Sequence, residues 1–522
     1  MLAESLQQQL TQVVGADHLL TDDVARSYYA QDVYTKGNPA GAVIQPASVD
    51  ELSAAVKAAV AAGVSVVARG GGMSYTSGYV PQEENALLVD TSRMNRILEI
   101  NSDDMYVTVE SGITWNALHV ALKERGLRTP FWGTLSGLYA TVGGSVSQNS
   151  IFWGSGQYGI SADSVLGLQV VTASGEVLTT GSASQQNAKP FLRHFGPDLT
   201  GIFTGDAGAL GIKATVTLRL LPEFASKAFG SFAFESHADM LAAMTEISRQ
   251  NLVMECFGFD PYLQKVRMTR ESLTKDVKAF AGVLKSAGGI GKALKTGAKM
   301  ALSGRGFMDD VAWSFHTMIE QHTDDAAAHC LQQVRAIVKA NNGRELPDSI
   351  PKLVRANPFG PVNNMIGPGG ERWVPVHALV AHSDAIAMVD AVEAVFDAHR
   401  AELDEQGVGV GYLLAAVSNN CSAIEPVFFW PDALEEIHCR SVEPTYLKNL
   451  NRYPENLDSR AVVAKVRKAL VDLFSERGAV HLQVGKSYRY ADALKPESLA
   501  LVKAIKQALD PDNRLNPGAL GL

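Results

Sequence analysis

The stretch "VSVVARGGGMSYTSGYV", residues 64–80, decides how the first part of the chain is interpreted. An apolar run and an arginine are followed by three consecutive glycines, and hydroxyl and tyrosine side chains come directly after them. The apolar run predicts a strand. Glycines after a strand let backbone N–H groups turn inward, because no Cβ blocks a ligand or the positive φ angles of such a turn. Taken alone, Gly70, Gly71 and Gly72 fit a tight surface turn or an anion-binding loop.

The residues before these glycines predict one βαβ unit. Val43 and Ile44 form a first short apolar run, and residues 64–67 form a second. Between them, Ser48 and Glu51 have the spacing of a capping box, which predicts the start of a helix. The glycines therefore follow the second strand of the unit.

Two more glycine-rich stretches lie beside predicted strands, at residues 140–167 and 204–212, and both are rich in small hydroxyl side chains. Three such loops in one region predict a single long ligand that lies across them. A nicotinamide cofactor is disfavoured, because a G-x-G-x-x-G fingerprint beginning at Gly70 would need glycine at position 75, where tyrosine stands.

Length and charge narrow the classes of partner. A chain of 522 residues predicts two or three domains with room for a large buried site between them. The net charge of -9 gives no global attraction to nucleic acid or to anionic lipid. We therefore expect a small-molecule partner and no nucleic-acid partner.

Neither the cysteines nor the first residues suggest secretion. The four cysteines lie far apart without C-x-x-C spacing, which argues against a disulfide framework, a zinc site or an iron-sulfur cluster, so no metal site is predicted. The first 15 residues include Glu4 and lack the basic start and apolar run of a signal peptide. No stretch has the length and apolarity of a membrane span. We expect a cytoplasmic protein without an integral membrane segment.

The chain divides into three predicted parts of an α+β protein. Residues 1–224 form the first part, which ends in a strand at Pro222; residues 225–464 form an inserted cap with its own helices and strands; residues 465–522 return to the first part. Within the cap, Asp384–Arg400 predicts a helix and Val374–Val380 a strand. The lysine-rich segment 275–306 fits a membrane or acidic-partner surface less well than a solvated helix pair, because its glycines interrupt an amphipathic face.

Several motifs occur in a characteristic order: "ARGGGMSYTSGY", "LLVDTSRMNRILEINSDDMYVTVESGITWNALHVAL", "TVGGSVSQNS", "ADSVLGLQVVTASGEVLTTG", "TGDAGALGIKATVTLRLLP" and "LDPDNRLNPG". In this order the chain resembles the flavoprotein family of vanillyl-alcohol oxidase and p-cresol methylhydroxylase, over residues 38–224 and about 465–522. The resemblance implies a PCMH-type FAD-binding domain of two α/β subdomains with an inserted α+β cap over the flavin.

The resemblance also implies where FAD binds. The pyrophosphate would lie on the backbone of residues 69–74, the flavin side near residues 141–145 and the adenosine side near Gly211 and Ile212. The implied cofactor residues are Arg69, Gly70, Gly71, Gly72, Met73, Ser74, Thr141, Val142, Gly143, Gly144, Ser145, Ser147, Gly211, Ile212 and Asn516. Met73 stands where some relatives attach the flavin to histidine, and the cap stretch "SNNCSAIEPVFFW" contains neither histidine nor tyrosine. We therefore expect non-covalent FAD.

In the phenol-oxidising branch of the family, two tyrosines and an arginine hold the substrate as a phenolate. Tyr79, Tyr488 and Arg489 match these positions. A phenol has a pKa near ~10, so holding it ionised at pH 7 requires about 4 kcal/mol, which such a trio can supply in a dry pocket. The implied reaction moves hydride from the benzylic carbon of a para-substituted phenol, either a 4-hydroxybenzylic alcohol or a 4-alkylphenol, to flavin N5.

Other features of this reaction are less well defined. Relatives carry an aspartate shortly before the "GGS" motif, but no acid occurs between Phe131 and Ser145. The base could come from the cap, where His377 and His382 are candidates, or from His481. The electron acceptor is O2 or an unidentified redox partner, and a homo-oligomer is expected.

Two other functions fit the same FAD domain. One is a D-2-hydroxyacid dehydrogenase or another alcohol or ether-lipid enzyme, although the "GHxGDGNxH" metal motif of the hydroxyacid enzymes does not occur in residues 224–460. The other is a flavin-binding protein without catalysis, which the missing aspartate would suit. Bleaching of the flavin by phenols, hydroxyacids or sugars would separate these functions.

Overall fold

A computed structural model describes residues 1–269 and 311–522. The segment 275–306, predicted above as a solvated helix pair, lies outside the described residues. The described chain forms three main sheets, two before residue 224 and one after it.

The first sheet has four strands in the order β1-β2-β4-β3. These are β1 Leu19–Leu20, β2 Ala42–Ile44, β3 Val66–Arg69 and β4 Leu87–Asp90. Strands β2 and β3 both run parallel to β4, as the predicted βαβ unit requires. The connecting helix, Val49–Ala61, begins as predicted: the backbone N–H of Glu51 donates to Ser48 Oγ at 3.1 Å. The Glu51 carboxylate accepts from Ala47 N rather than from Ser48, so only half of the capping box forms.

The free edge of β3 is covered by a segment from the other end of the sequence. Val66 N–H donates to the carbonyl of Arg514 at 2.7 Å, and Asn516 N–H donates to the carbonyl of Val66 at 2.9 Å. A parallel bridge between Val66 and Leu515 results. The strand that precedes the three glycines is therefore paired on both sides.

The second sheet has five antiparallel strands in the order β5-β6-β10-β8-β9. Its strands, together with the short pair β7 and β11, are β5 Ile97–Asn101, β6 Tyr106–Glu110, β7 Leu127–Arg128, β8 Val165–Val171, β9 Val177–Thr179, β10 Ile212–Arg219 and β11 Leu221–Pro222. The β8-β9 hairpin turns through Ser174 and Gly175, where Gly175 has a φ of 83°. The glycine-rich stretch 204–212 leads directly into β10.

The third sheet belongs to the cap and has eight antiparallel strands. They are β12 Ser226–Phe234, β13 Glu255–Phe259, β14 Trp313–Gln321, β15 Arg344–Leu346, β16 Arg372–Pro375, β17 Ala378–Ala381, β18 Gly409–Val417 and β19 Cys421–Trp430. The strand predicted over Val374–Val380 is two strands, β16 and β17. They separate because His377 N–H donates to the hydroxyl of Tyr488 at 2.8 Å instead of to a neighbouring strand.

Helices flank all three sheets. In the first part they are Glu4–Val14, Asp23–Tyr29, Val49–Ala61, Trp115–Lys123, Val142–Gln148, Ser155–Tyr158 and Leu199–Ile202. After residue 224 they are His237–Arg249, Pro261–Thr269, Asp324–Ala340, Ser349–Ala356, Ala385–Ala398, Arg400–Glu405, Glu436–Ser441, Pro444–Leu447, Leu457–Glu476, Tyr490–Ala493 and Pro496–Leu509. The helix predicted over Asp384–Arg400 ends at Ala398, and a shorter one begins at Arg400. None of the described helices is both long enough and apolar enough to cross a bilayer.

One face of the cap sheet lies over the glycine loops. Side chains alternate along a strand, so every second residue of β13, β18 and β19 points to this face. Phe257 of β13 lies opposite Ala415 of β18, and Leu413 of β18 lies opposite Glu425 of β19. All four line the cavity between the sheet and the loops. The cap therefore forms the roof of whatever the loops bind.

Candidate cofactor and substrate site

The three consecutive glycines are needed because the protein backbone approaches them closely. A Cβ on Gly71 would overlap the carbonyl oxygen of Tyr139, and one on Gly70 would overlap Oγ1 of Thr141. Gly72 has a φ of 75°, in the left-handed region that favours glycine. The first loop thus packs directly against the second, and the two together form the floor of one cavity.

Arg69 and Tyr79 pack against each other beside the first loop and fix its position. The Arg69 side chain is buried, and its guanidinium carbon lies 4.8 Å from the ring centroid of Tyr29 and 5.5 Å from that of Tyr79. The hydroxyl of Tyr79 donates to the carbonyl of Gly72 at 2.8 Å. Although Tyr79 lines the cavity, its hydroxyl is committed to the backbone of the glycine loop.

The second loop leads into the helix Val142–Gln148. Thr141 caps this helix, and its Oγ1 accepts from the backbone N–H of Gly144 at 3.2 Å. A Cβ on Gly143 would lie 2.5 Å from the Cβ of Ser111, so glycine brings the helix against β6. Ser145 Oγ accepts from the indole of Trp115 at 2.8 Å. These contacts fix the start of the helix at the cavity wall.

Most of the predicted cofactor residues meet at this cavity. Its wall contains Arg69, Gly70, Gly71, Gly72, Met73, Ser74, Thr141, Gly143, Gly144, Ser145, Ser147, Gly211 and Ile212. Val142 points instead into the core of the second sheet. Asn516 lies behind the wall, where its Nδ2 donates to the carbonyls of Gly78 and Ala207, both at 2.6 Å.

The cavity fits FAD by the chemistry of its wall. Its empty volume is about 1810 Å³, a figure that includes open solvent. Two buried wall atoms, Ser111 Oγ and Gln148 Oε1, have no hydrogen-bond partner among the described residues. Unsatisfied polar atoms beside glycine-rich backbone suit a long polar ligand.

The cap side of the cavity carries a polar group in an aromatic setting. Glu425 of β19 lines the cavity near Arg267, and burial raises the pKa of its carboxyl to about 8, an effect that the charge of Arg267 partly opposes. The ring of Tyr75 meets that of Trp373 edge to face, with centroids 5.7 Å apart. Gln483 Nε2 donates to the hydroxyl of Tyr75 at 3.1 Å. A neutral acid, a phenol and an amide therefore share this end.

Tyr488 and Arg489 do not join this group. The hydroxyl of Tyr488 lies 3.1 Å from Nδ1 of His377, its ring stacks on His481 with centroids 4.0 Å apart, and it is absent from the cavity wall. The Arg489 side chain is 49% exposed and donates to Asp472 at 3.1 Å. The structure thus does not bring the predicted phenolate trio together, and its role stays a prediction without support from this geometry.

The candidate histidine bases are also engaged elsewhere. Nε2 of His377 lies 2.8 Å from the carbonyl of Leu482, and Nδ1 of His481 lies 2.8 Å from the carbonyl of His377. His382 contacts two serine hydroxyls. Burial lowers the pKa of all three. They hold β17 and the segment before Gln483 in place, and none lines the cavity.

Sequence reasoning missed Glu425. The family pattern predicts an acid shortly before residue 145, where none occurs, whereas Glu425 stands within the largely apolar strand "SAIEPVFFW" of the cap. A lone carboxylate in an apolar strand was the available signal, because such a group is rarely buried without a purpose.

Comparison with known protein families identifies the cofactor. Residues 40–181 match the family described as "FAD binding domain", and residues 484–520 match "FAD linked oxidases, C-terminal domain". The first match contains the first and second loops, and the second contains Asn516. The chain therefore carries an FAD-binding domain and its cofactor is FAD, as predicted.

The similar curated proteins are named for different substrates or for none. The chain is 32% identical over 254 residues to an uncharacterised FAD-linked oxidoreductase of Mycobacterium tuberculosis, covering 48% of this chain and 53% of that protein. It is 30% identical to the glycolate oxidase subunit GlcD of Bacillus subtilis, over 43% of this chain and 46% of that one. It is 32% identical to the D-2-hydroxyglutarate dehydrogenase of Xanthomonas citri pv. viticola, over 48% of this chain and 51% of that one. The matches thus span about half the length of these relatives.

Solved structures extend the likeness to the whole fold. p-Cresol methylhydroxylase with substrate bound superposes with a TM-score of 0.74 at 17% identity, covering 99% of this chain and 96% of that one. The 4-ethylphenol oxidase from Gulosibacter chungangensis superposes with a TM-score of 0.73, at the same identity and coverage. An alkyldihydroxyacetonephosphate synthase superposes with a TM-score of 0.69 at 16% identity, covering 99% of this chain and 86% of that one. The predicted PCMH-type α+β fold is confirmed, while the phenol-oxidising branch stays a prediction.

Proposed function

We propose that this protein is an FAD-dependent oxidoreductase that removes hydride from the benzylic carbon of a hydroxylated aromatic substrate, either a 4-hydroxybenzylic alcohol or a 4-alkylphenol. The observation that carries the proposal is Glu425, a carboxyl with a raised pKa at the aromatic end of a cavity whose opposite wall is the FAD loops. Polar and apolar groups converge there as they do in sites for small aromatic molecules.

The wall beside Glu425 suits a flat ring. Tyr75, Trp373, Phe257 and Leu413 all face the cavity. Aromatic pairs contribute about 0.5–1.5 kcal/mol beyond the area they bury, so a substrate ring gains orientation as well as affinity from such walls. Trp373, Phe257 and Leu413 belong to cap strands that cover this end of the cavity, whereas Tyr75 follows the first glycine loop.

Glu425 accepts the hydroxyl proton of the substrate in this proposal. Bound FAD supplies the hydride acceptor. An alcohol or phenol that loses hydride must also lose its O–H proton, and a carboxylate with a pKa of about 8 is a stronger base than an ordinary glutamate. Arg267 stabilises the ionised form of Glu425, because its positive charge lowers the pKa that burial raises. The electron acceptor stays a prediction: O2 or a redox partner.

A 2-hydroxyacid is the second candidate substrate, and Arg267 is the observation that favours it. This guanidinium lines the cavity near Glu425, where it could bind a substrate carboxylate. Two of the similar proteins are named for glycolate and D-2-hydroxyglutarate.

Anaerobic bleaching of the flavin separates the candidates. The proposal expects rapid bleaching by 4-hydroxybenzyl alcohol or 4-ethylphenol and none by glycolate, D-lactate or D-2-hydroxyglutarate. The reverse pattern would establish the hydroxyacid reading, in which Arg267→Met should abolish saturation by substrate. A protein that binds FAD but is bleached by neither class would be a flavin-binding protein without this chemistry.

A further inference from the structure

A second carboxyl group, that of Glu255, lies in the cavity wall away from Glu425. Glu255 begins β13 and is 3% exposed. Strand β18 separates β13 from β19, and the pairing registers place Glu255 about four residues along the strands from the level of Glu425. Strand geometry then puts the two residues roughly 15–17 Å apart. They are separate groups at two ends of one cavity.

One oxygen of Glu255 is bound and the other is not. Oε1 accepts from the backbone N–H of Gly154 at 2.7 Å. Oε2 is buried and has no hydrogen-bond partner among the described residues. Gly154 leads into Ser155 and Gly156, which line the same part of the cavity, so the glycine-rich stretch of the second loop fixes the carboxyl at the wall. A buried polar atom without a partner is costly unless a ligand satisfies it.

The surroundings of Glu255 favour its protonated form. Burial raises its pKa to about 8, and the neighbouring charge of Glu320 adds to this rise, while Arg355 and Arg128 oppose it. Arg355 and Arg128 lie 2.9 and 3.0 Å from the carboxylate oxygens of Glu320. The charged or titratable groups packed around this pair come from five elements and from Glu223, which precedes β12. They are Glu320 and His316 of β14, Arg128 of β7, Lys227 of β12, Arg355 of helix Ser349–Ala356 and Tyr158 of helix Ser155–Tyr158.

We propose that Glu255 is a cofactor-positioning residue that carries a proton in the working protein and donates a hydrogen bond from Oε2 to bound FAD. The two arginines hold Glu320 in place by ion pairs, and the charge of Glu320 favours the protonated form of Glu255. The inference rests on FAD binding and not on the proposed substrate.

FAD affinity should therefore depend on pH. Ionised Glu255 offers no donor and places a negative charge beside an anionic cofactor, so FAD binds the protonated form more tightly. By linkage, each unit by which FAD raises the pKa of Glu255 weakens binding about tenfold once the pH has risen above both pKa values. The affinity should be constant below about pH 7 and fall as the pH rises through the pKa of Glu255.

The test is a titration of the apoprotein with FAD at several pH values from about 6.5 to about 9.5. Quenching of the flavin fluorescence reports binding at each pH. Glu255→Gln keeps the shape and one N–H donor but cannot ionise, so it should bind FAD as the parent does at low pH and lose the fall at high pH. Glu405→Gln, an exposed control outside the cavity, should keep the fall. Glu255→Leu should bind FAD more weakly than the parent at low pH, and its affinity should not fall at high pH.

Two results would overturn the proposal: a Glu255→Gln variant with the parental pH dependence, or a Glu255→Leu variant with parental affinity throughout. Circular dichroism and thermal unfolding of the apoproteins show whether each variant folds. If Glu255→Leu does not fold, the isosteric Glu255→Gln variant still decides the question. Because no substrate is used, the outcome is independent of the function proposed above.

Discussion

The amide nitrogen of Asn516 lies 2.6 Å from the carbonyl oxygen of Gly78, although 438 residues separate the two in sequence. The same amide donates to the carbonyl of Ala207 in the third glycine-rich stretch. One side chain therefore joins the first loop to the third and sets the width of the cavity between them.

Replacing Asn516 with Ala should weaken FAD binding without abolishing it. Two hydrogen bonds are lost, each worth about 0.5–1.5 kcal/mol, so the dissociation constant should rise roughly ten- to a hundredfold. Fluorescence titration of the apoprotein measures this. Asn449→Ala is the matched control, because Asn449 is exposed and its amide donates only to Thr445 one helical turn away. Equal affinities in the two variants would contradict the bridging role.

Tyr79→Phe distinguishes a loop anchor from a phenolate ligand. The Tyr79 hydroxyl donates to Gly72 in the FAD loop, so its removal should raise the dissociation constant of FAD about three- to tenfold, since a carbonyl loses its partner. Binding of an unreactive phenol to the FAD-loaded protein should not change. Tyr106→Phe, which removes a hydroxyl bound to Glu99 in the second sheet, serves as control. Unchanged FAD affinity with weakened phenol binding would restore the phenolate role.

The rate of flavin reduction should follow the titration of Glu425. Its pKa is raised to about 8, so the group is a neutral acid below that pH and a base above it. The rate should therefore rise with pH through about 8 and then level off. Glu425→Gln should lower the rate by roughly 10²–10⁴ and remove this dependence, as expected for loss of a general base. The exposed Glu405→Gln should behave as the parent, and a parental pH profile in Glu425→Gln would exclude this residue.

Replacing Arg489 should leave flavin reduction nearly unchanged, whereas replacing Arg267 should shift its pH dependence. Arg489 forms a half-exposed ion pair, worth about 0.2–1 kcal/mol, so Arg489→Met should leave the reduction rate within about twofold of the parent. Arg267→Met removes the charge that lowers the pKa of Glu425, so its pH profile should shift to higher pH. Stopped-flow reduction measures both. A fall of tenfold or more in Arg489→Met would show that the phenolate trio assembles when substrate binds.

The parts of the site that lie close together in sequence could be predicted. Glycines after an apolar run indicate a backbone loop because few other residues tolerate its contacts, and Ser48 indicates a helix start because its hydroxyl serves the local backbone. The family resemblance, not local reasoning, predicted that residues 69–74 and 141–145 bind FAD, and all of them except Val142 line the cavity.

The parts of the site that depend on tertiary packing could not be predicted from the sequence. The pattern "SYRY" does not show that Tyr488 turns toward His377 while Arg489 turns toward Asp472. The raised pKa values of Glu255 and Glu425 arise from burial by strands and loops distant in sequence. A lone carboxylate in an apolar strand indicates a candidate such as Glu425, but only the sheet register shows that it faces the cavity.

The pairing of Val66 with residues 514–516 has a consequence for biosynthesis. Until residue 516 leaves the ribosome, β3 is an open edge strand directly before the FAD loop. At about 5–20 residues per second, the edge stays open for tens of seconds, long enough for mispairing unless a chaperone shields it. We therefore expect FAD to bind late, because the strand before its loop is paired on both sides only after residues 514–516 have joined the first sheet.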